Sequence, residues 1–165
     1  MRNQKVRETV LISMFTLVSL GLSYLESLIP PLSAVPGIKI GLANIAVIFT
    51  LYKFNFKSAS TVSLMRVFIS FLLFGSVLSL AYSFAGAFVS ITVMAILKHS
   101  GKFSVVGVSV AGAISHNVAQ IIVAAFILGT SEIIFYLPVL VISAVISGIF
   151  IGISGALLVK KIKVE

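Results

Sequence analysis

The sequence predicts an all-α membrane protein, a bundle of six transmembrane helices with both termini in the cytoplasm. Three observations lead to this prediction: the composition, the number of apolar segments and the placement of lysine and arginine. Of the 165 residues, 59% are hydrophobic and 10% are charged, and a soluble domain of this size cannot bury so much apolar surface. We expect residues 1–165 to form a single integral membrane domain in a multi-pass protein of the bacterial-type cell membrane.

Six segments are candidates for the spans. A bilayer core of about 30 Å requires about 20 residues of apolar helix, and the second segment is short by this measure. The first segment lacks a small-residue cleavage pattern after a short apolar core, so we interpret it as a retained helix and not as a signal peptide. The predicted spans are residues 8–29, 39–52, 58–74, 76–97, 104–128 and 133–159.

The positive charges predict the orientation, because cytoplasmic loops carry an excess of lysine and arginine. Ten of the twelve fall on one side of a six-span arrangement. In a membrane protein this excess indicates the cytoplasmic edge, so we expect no nucleic-acid partner. The ten are Arg2, Lys5, Arg7, Lys53, Lys57, Lys98, Lys102, Lys160, Lys161 and Lys163.

The segment from Pro30 to Tyr52 is the most unusual part of the chain. Its three prolines cannot continue a helix, so residues 32–37 should be a short ordered connection. We expect the next helix to open with Lys39 and to carry Asn44 about one turn deeper. Gly41 lacks bulk, so another backbone or a ligand could approach closely there.

Arg66 and Lys39 are the two positively charged residues that do not lie at the predicted cytoplasmic edge. Arg66 lies about nine residues into the third span, near mid-membrane, where an arginine costs a few kcal/mol unless it is paired or hydrated. It is compatible with a structural pairing to Glu26 or to helix-end carbonyls, and with binding an anionic ligand. Lys39 could snorkel to the interface or contact a ligand. Glu26 fits an interfacial carboxylate or a site residue, and Asn44 fits a helix tie or a site residue.

The fifth span carries three strongly polar side chains within two turns. His116 and Gln120 share a helix face, and Asn117 lies about 100° round the helix. A lone histidine is more often a packed core residue, but three such groups in a membrane helix favour a site. Together with Tyr82, these three side chains could converge on a pocket open to the outside. Four further residues would line the same pocket: Glu26, Lys39, Asn44 and Arg66. Two cations, Lys39 and Arg66, against the single carboxylate of Glu26 predict a ligand with an anionic end. The surrounding Phe, Ile and Leu side chains suit an apolar body, so we expect a small anionic or amphipathic ligand.

Small residues recur on two spans. Gly148 and Gly152 form a GxxxG pair, and Ser19 and Ser23 form a weaker patch on the first span. Such positions allow helices to approach closely. They could contact a partner helix of another protein or helices within the bundle.

Several classes of function are poorly supported. The sequence has no cysteine and no GxxxxGK[ST] loop, which argues against thiolate chemistry and against ATP hydrolysis by this chain. It has no aspartate and four scattered glutamates, a poor basis for the magnesium site of a diphosphate-processing enzyme. With two histidines, a metal site is also weakly supported. We expect no catalytic residues, no metal and no cofactor, and favour binding over bond-making.

Five elements in order along the chain carry a resemblance to a known family. They are residues 35–44 (VPGIKIGLAN), 64–67 (LMRV), 73–75 (LFG), 113–120 (AISHNVAQ) and 135–138 (FYLP). With them the chain resembles the Gx transporter family, also named heptaprenyl diphosphate synthase component I. That family is similar to the substrate-binding S components of energy-coupling-factor (ECF) transporters, six-helix proteins whose outer loop after the first helix covers the ligand.

The resemblance implies a membrane component that captures a partly apolar anionic precursor or a vitamin from outside. Its partners, besides membrane lipid, would be a separate module of two ATPases and a transmembrane coupling protein. Small residues of the first helix would face the coupling protein, and Ser19 and Ser23 match that alanine-rich pattern only roughly. The alternative is a non-catalytic membrane subunit of heptaprenyl diphosphate or quinone biosynthesis. A third class is a scaffold within a membrane redox assembly.

Overall fold

A computed structural model describes residues 2–28 and 41–162 and shows six α-helices in them, with no β-strand. Five of the helices are long and apolar enough to cross a membrane, which confirms the predicted all-α membrane fold. A 3₁₀ turn, Glu132–Tyr136, leads into the last helix. The helices are α1 (Arg2–Leu28), α2 (Asn44–Lys53), α3 (Phe56–Phe74), α4 (Val77–Ser100), α5 (Val105–Leu128) and α6 (Leu137–Lys161).

Local hydrogen bonds explain where the long helices begin. The Asn55 side chain accepts from the Ser58 amide at 2.9 Å at the start of α3. Ser76 and Ser79 form a reciprocal capping box at the start of α4, and Ser104 accepts from the Gly107 amide at 3.1 Å before α5. These caps satisfy N–H groups that a helix cannot satisfy itself. They also fix the sharp reversals between consecutive spans.

The second helix starts later than the sequence predicts. We expected it to open at Lys39, but α2 begins at Asn44. The reason is Gly41, whose φ of +77° is not helical and is readily adopted only by glycine. The Asn44 amide instead closes a turn on the Gly41 carbonyl at 2.8 Å. Lys39 lies outside the described residues.

Helix α2 is the centre of the bundle although it is too short to span. Its ten residues rise about 15 Å, half of a hydrocarbon core. Six consecutive residues from Ala46 to Leu51 are buried, as expected of a helix that is apolar on all sides. It packs on α3 and α6, while α1 packs on α2 and α3, and α5 packs on α4 and α6. The core cluster comprises Val47, Ile48, Leu51, Ala59, Val62, Ile91, Met94, Val108 and Ile151.

The small residues of the predicted partner-contact set face into this bundle. Gly148 and Gly152 lie against α5: a Cβ on either would be 2.7 Å from the Cα of Val110 or Val106. Ser19 is fully buried, and its hydroxyl donates to the Ala43 carbonyl at 3.1 Å. The close contacts of Gly148, Gly152 and Ser19 are thus made within the chain, and contact of these positions with a helix of another protein stays a prediction. Ser23, the fourth member, contacts Arg66 instead.

Candidate functional site

Glu26 and Gly41 join the end of α1 to the turn before α2. The Gly41 amide donates to Oε1 of Glu26 at 2.6 Å, a charge-assisted geometry. Asn44 is half-buried, and its side-chain nitrogen lies 3.4 Å from where a Cβ on Gly41 would stand. Glu26 and Asn44 are thus brought together by one turn, as members of the same predicted site.

Arg66 lies on α3. Its Nη1 reaches the hydroxyl of Ser23 at 3.5 Å, the long limit of a hydrogen bond. Ser23 precedes Glu26 by one helical turn, and the Glu26 carboxylate acts electrostatically on the guanidinium. The buried Nε of Arg66 has no hydrogen-bond partner among the described residues. A buried arginine nitrogen without an acceptor is costly, so the position requires an explanation beyond packing.

Ser70 adds a second buried donor to the same helix. It follows Arg66 by four residues and so lies on a similar face of α3, one turn along. Its hydroxyl is also buried, without a hydrogen-bond partner in residues 2–28 and 41–162. Sequence reasoning missed Ser70, and the i, i+4 spacing from Arg66 was the signal that could have found it. Among the described residues, α3 has three such buried donors. The Arg66 Nε and the Ser70 hydroxyl lie on neighbouring turns, and the third, the hydroxyl of Ser60, lies nearer the start of the helix.

His116 and Gln120 form a second group between α4 and α5. Both pack on Gly86: a Cβ there would be 2.8 Å from Cγ of Gln120 and 3.0 Å from the His116 ring. One turn further along the same seam, the hydroxyl of Ser90 donates to the Gly112 carbonyl at 2.8 Å. The absence of a side chain at Gly86 therefore makes room for the two polar side chains.

Asn117 turns away from this seam. Its side-chain amide donates to the Leu140 carbonyl of α6 at 2.9 Å. This is a helix tie of the kind that polar side chains make inside membranes. The geometry gives Asn117 a structural contact to α6, whereas its role toward a ligand stays a prediction.

Tyr82 lines a cavity of about 200 Å³ at the end of the α4–α5 seam. Tyr82 precedes Gly86 by one turn, and Ala124, which also lines the cavity, follows Gln120 by one turn. The cavity therefore continues the seam that holds His116 and Gln120. Its other described lining residues are Ser76, Leu78, Ile127 and Leu128.

The predicted site residues thus fall into two groups. Glu26, Asn44 and Arg66 lie among α1, α2 and α3, while Tyr82, His116 and Gln120 follow the α4–α5 seam. That both groups line one pocket together with Lys39 stays a prediction. Among the described residues, no group of three His, Cys, Asp or Glu side chains is arranged to hold a metal.

The fold and these polar groups define a multi-pass α-helical membrane protein with ionisable side chains inside the bundle. The chain belongs to the heptaprenyl diphosphate synthase component I family, whose model matches residues 15–158. No curated protein and no solved structure gave a match in the same comparisons.

Proposed function

We propose that this chain is a membrane substrate-binding component that captures a small, partly apolar anion from the outer side of the membrane. The observation that carries the proposal is the buried Arg66 Nε, for which the described part of the chain provides no hydrogen-bond partner. Arginine binds carboxylate and phosphate groups through two parallel N–H donors. An anionic oxygen at Nε would supply the missing acceptor, and the Ser70 hydroxyl could donate to the same group.

The neighbouring groups give the site its polarity. The Gly41–Glu26 hydrogen bond fixes the carboxylate of Glu26 at the turn that precedes α2. Arg66 contacts Ser23, which lies one helical turn before Glu26 on α1. Leu78, Ile127 and Leu128 line the cavity that continues the α4–α5 seam, which suits the apolar body of the ligand. In this role the chain would be an S component that depends on separate ATPases and a transmembrane coupling protein for energy.

The family description favours a second candidate, a non-catalytic membrane subunit of heptaprenyl diphosphate synthesis. The sequence has no aspartate, and prenyl-chain elongation on magnesium-bound diphosphates requires clustered carboxylates. Catalysis in such an assembly would therefore belong to another subunit. This chain would hold an anionic, lipid-like intermediate or product at the membrane, with Arg66 in the same role.

Native mass spectrometry of the purified full chain tests the shared claim. We expect a co-purified anionic small molecule in the wild type and in the control Arg7→Gln, whose side chain is exposed at the start of α1. Arg66→Gln should lose that molecule while remaining folded by circular dichroism. A folded Arg66→Gln protein with undiminished ligand occupancy would show that Arg66 is only structural.

Isolation of the native complex separates the two candidates. Co-purified ATPase subunits would support transport, and a co-purified soluble prenyl synthase would support the biosynthetic role. The comparison requires mild detergent and the full chain at its native expression level, because overexpression leaves subunits without partners.

A further inference from the structure

A second cavity, also of about 200 Å³, lies at the opposite end of the bundle from Tyr82. Leu51 comes from the last turn of α2, Phe56 is the first residue of α3, and the remaining residues come from the last turns of α4. The described lining is Leu51, Phe56, Ala95, Lys98 and His99. The cavity therefore combines an apolar wall with an ammonium group and an imidazole.

The ammonium group of Lys98 is held in place by the chain. Its Nζ donates to the Leu51 carbonyl at 2.6 Å and lies 5.2 Å from the centre of the Tyr52 ring. An ammonium has three donors, so this carbonyl leaves two of them for another acceptor. Lys98 is thus a positioned cation at the cavity.

The flank of the cavity has the character of a lipid-facing surface. Phe56 is 44% exposed and Ile96 is 63% exposed. His99 is exposed as well, and it lies one turn after Ile96 on the same face of α4. An apolar strip that ends in an imidazole and an ammonium matches the boundary between acyl chains and headgroups.

We propose that this cavity binds an anionic glycerophospholipid. The headgroup phosphate accepts hydrogen bonds from Lys98 and His99, and the acyl chains lie along Phe56 and Ile96. Basic pockets between helices near the cytoplasmic surface bind acidic headgroups in this way. The apolar wall and flank favour a lipid over an acidic protein segment, which would need only the charged rim. The inference is independent of the ligand captured near Arg66.

The test is native mass spectrometry of the purified full chain, titrated with dioleoyl phosphatidylglycerol or with dioleoyl phosphatidylcholine. The two lipids have the same acyl chains, so their difference reports the headgroup. We expect tighter binding of the phosphatidylglycerol, and a loss of about fivefold for each of Lys98→Gln and His99→Gln, as expected for one headgroup contact. Inorganic phosphate is titrated as a competitor to separate lipid binding from simple anion binding.

The control is Lys161→Gln, which removes an exposed charge from the end of α6 and should leave the lipid affinity unchanged. The thermal midpoint of each variant shows whether Lys98→Gln loses lipid affinity because it unfolds. His99→Gln is the second test, because this substitution does not remove the Lys98–Leu51 hydrogen bond. Equal binding of the two lipids overturns the proposal, as does an equal loss in Lys161→Gln. Competition by phosphate alone at millimolar concentration would reduce the site to a general anion site and also overturns it.

Discussion

Arg66 on α3 reaches Ser23 on α1 at 3.5 Å, and its buried Nε has no acceptor in the part of the chain that the structure describes. The contact connects residues 43 positions apart in the sequence. A structural ion pair would be expected to satisfy its buried donors, since an unpaired one costs about 1–3 kcal/mol. The open Nε is therefore a feature that the stability of the bundle does not explain.

This relationship predicts that Arg66→Met stabilises the ligand-free protein. Methionine fills a similar volume and removes the buried Nε, an unpaired donor that costs about 1–3 kcal/mol. The measurement is the apparent Tm of extensively washed protein in detergent. Arg66→Lys is the matched variant that keeps a charge. A fall in Tm of many degrees for Arg66→Met would contradict the prediction and make Arg66 a structural residue.

Glu26 should matter to stability through the turn at Gly41. Glu26→Ala removes the acceptor of the Gly41 amide, a charge-assisted bond of 2.6 Å, and we expect it to cost about 1.5–3 kcal/mol. Glu26→Gln keeps an acceptor oxygen, so its Tm should fall less. If the two variants lower the Tm equally, the charge near Arg66 matters and the hydrogen bond does not.

The GxxxG pair of α6 predicts a third outcome. Gly148→Ala would place a Cβ 2.7 Å from the backbone of Val110, and a backbone cannot move aside as a flexible side chain can. Overpacking of this kind costs about 1–3 kcal/mol, measured as a lower Tm of the isolated chain.

Gly21→Ala is the control for this substitution, because a Cβ at Gly21 would meet nothing within 4 Å. Alanine is the better helix former, so its Tm should be unchanged or slightly raised. If Gly148→Ala is harmless in the isolated protein but prevents isolation of a native complex, the pair would serve a partner and not the bundle.

The sequence predicted those features of the fold that depend on the spacing of residues within one helix. Apolar length predicted six helices, and the polar spacing of His116 and Gln120 predicted their shared face, which packs on Gly86. The start of α2 was predicted wrongly because hydropathy does not report the positive φ of Gly41. The direction of Ser19 and the pairing of Arg66 with Ser23 depend on which helices become neighbours. Hydrophobic pattern is nearly uniform around helices in lipid, so it could not supply those contacts.

The orientation of the bundle is the last prediction, and the composition makes its test clean. Because the chain has no cysteine, a single introduced thiol is the only site for a maleimide. Ser131 and Ser100 are both exposed, and they lie at opposite ends of the bundle, one in the α5–α6 connection and one at the end of α4. Lys98 and Lys102 flank Ser100, so the charge distribution predicts that this end is cytoplasmic.

A membrane-impermeant maleimide should therefore label Ser131→Cys in intact cells and label Ser100→Cys only after permeabilisation. Each variant is the control for the other, because the two thiols are expected to be accessible from opposite sides of the membrane. The reverse labelling pattern would mean that the region of Arg66 and Glu26 opens to the cytoplasm. Capture of a ligand from outside would then be wrong, while an anion site serving a cytoplasmic synthase would remain consistent with the same arginine.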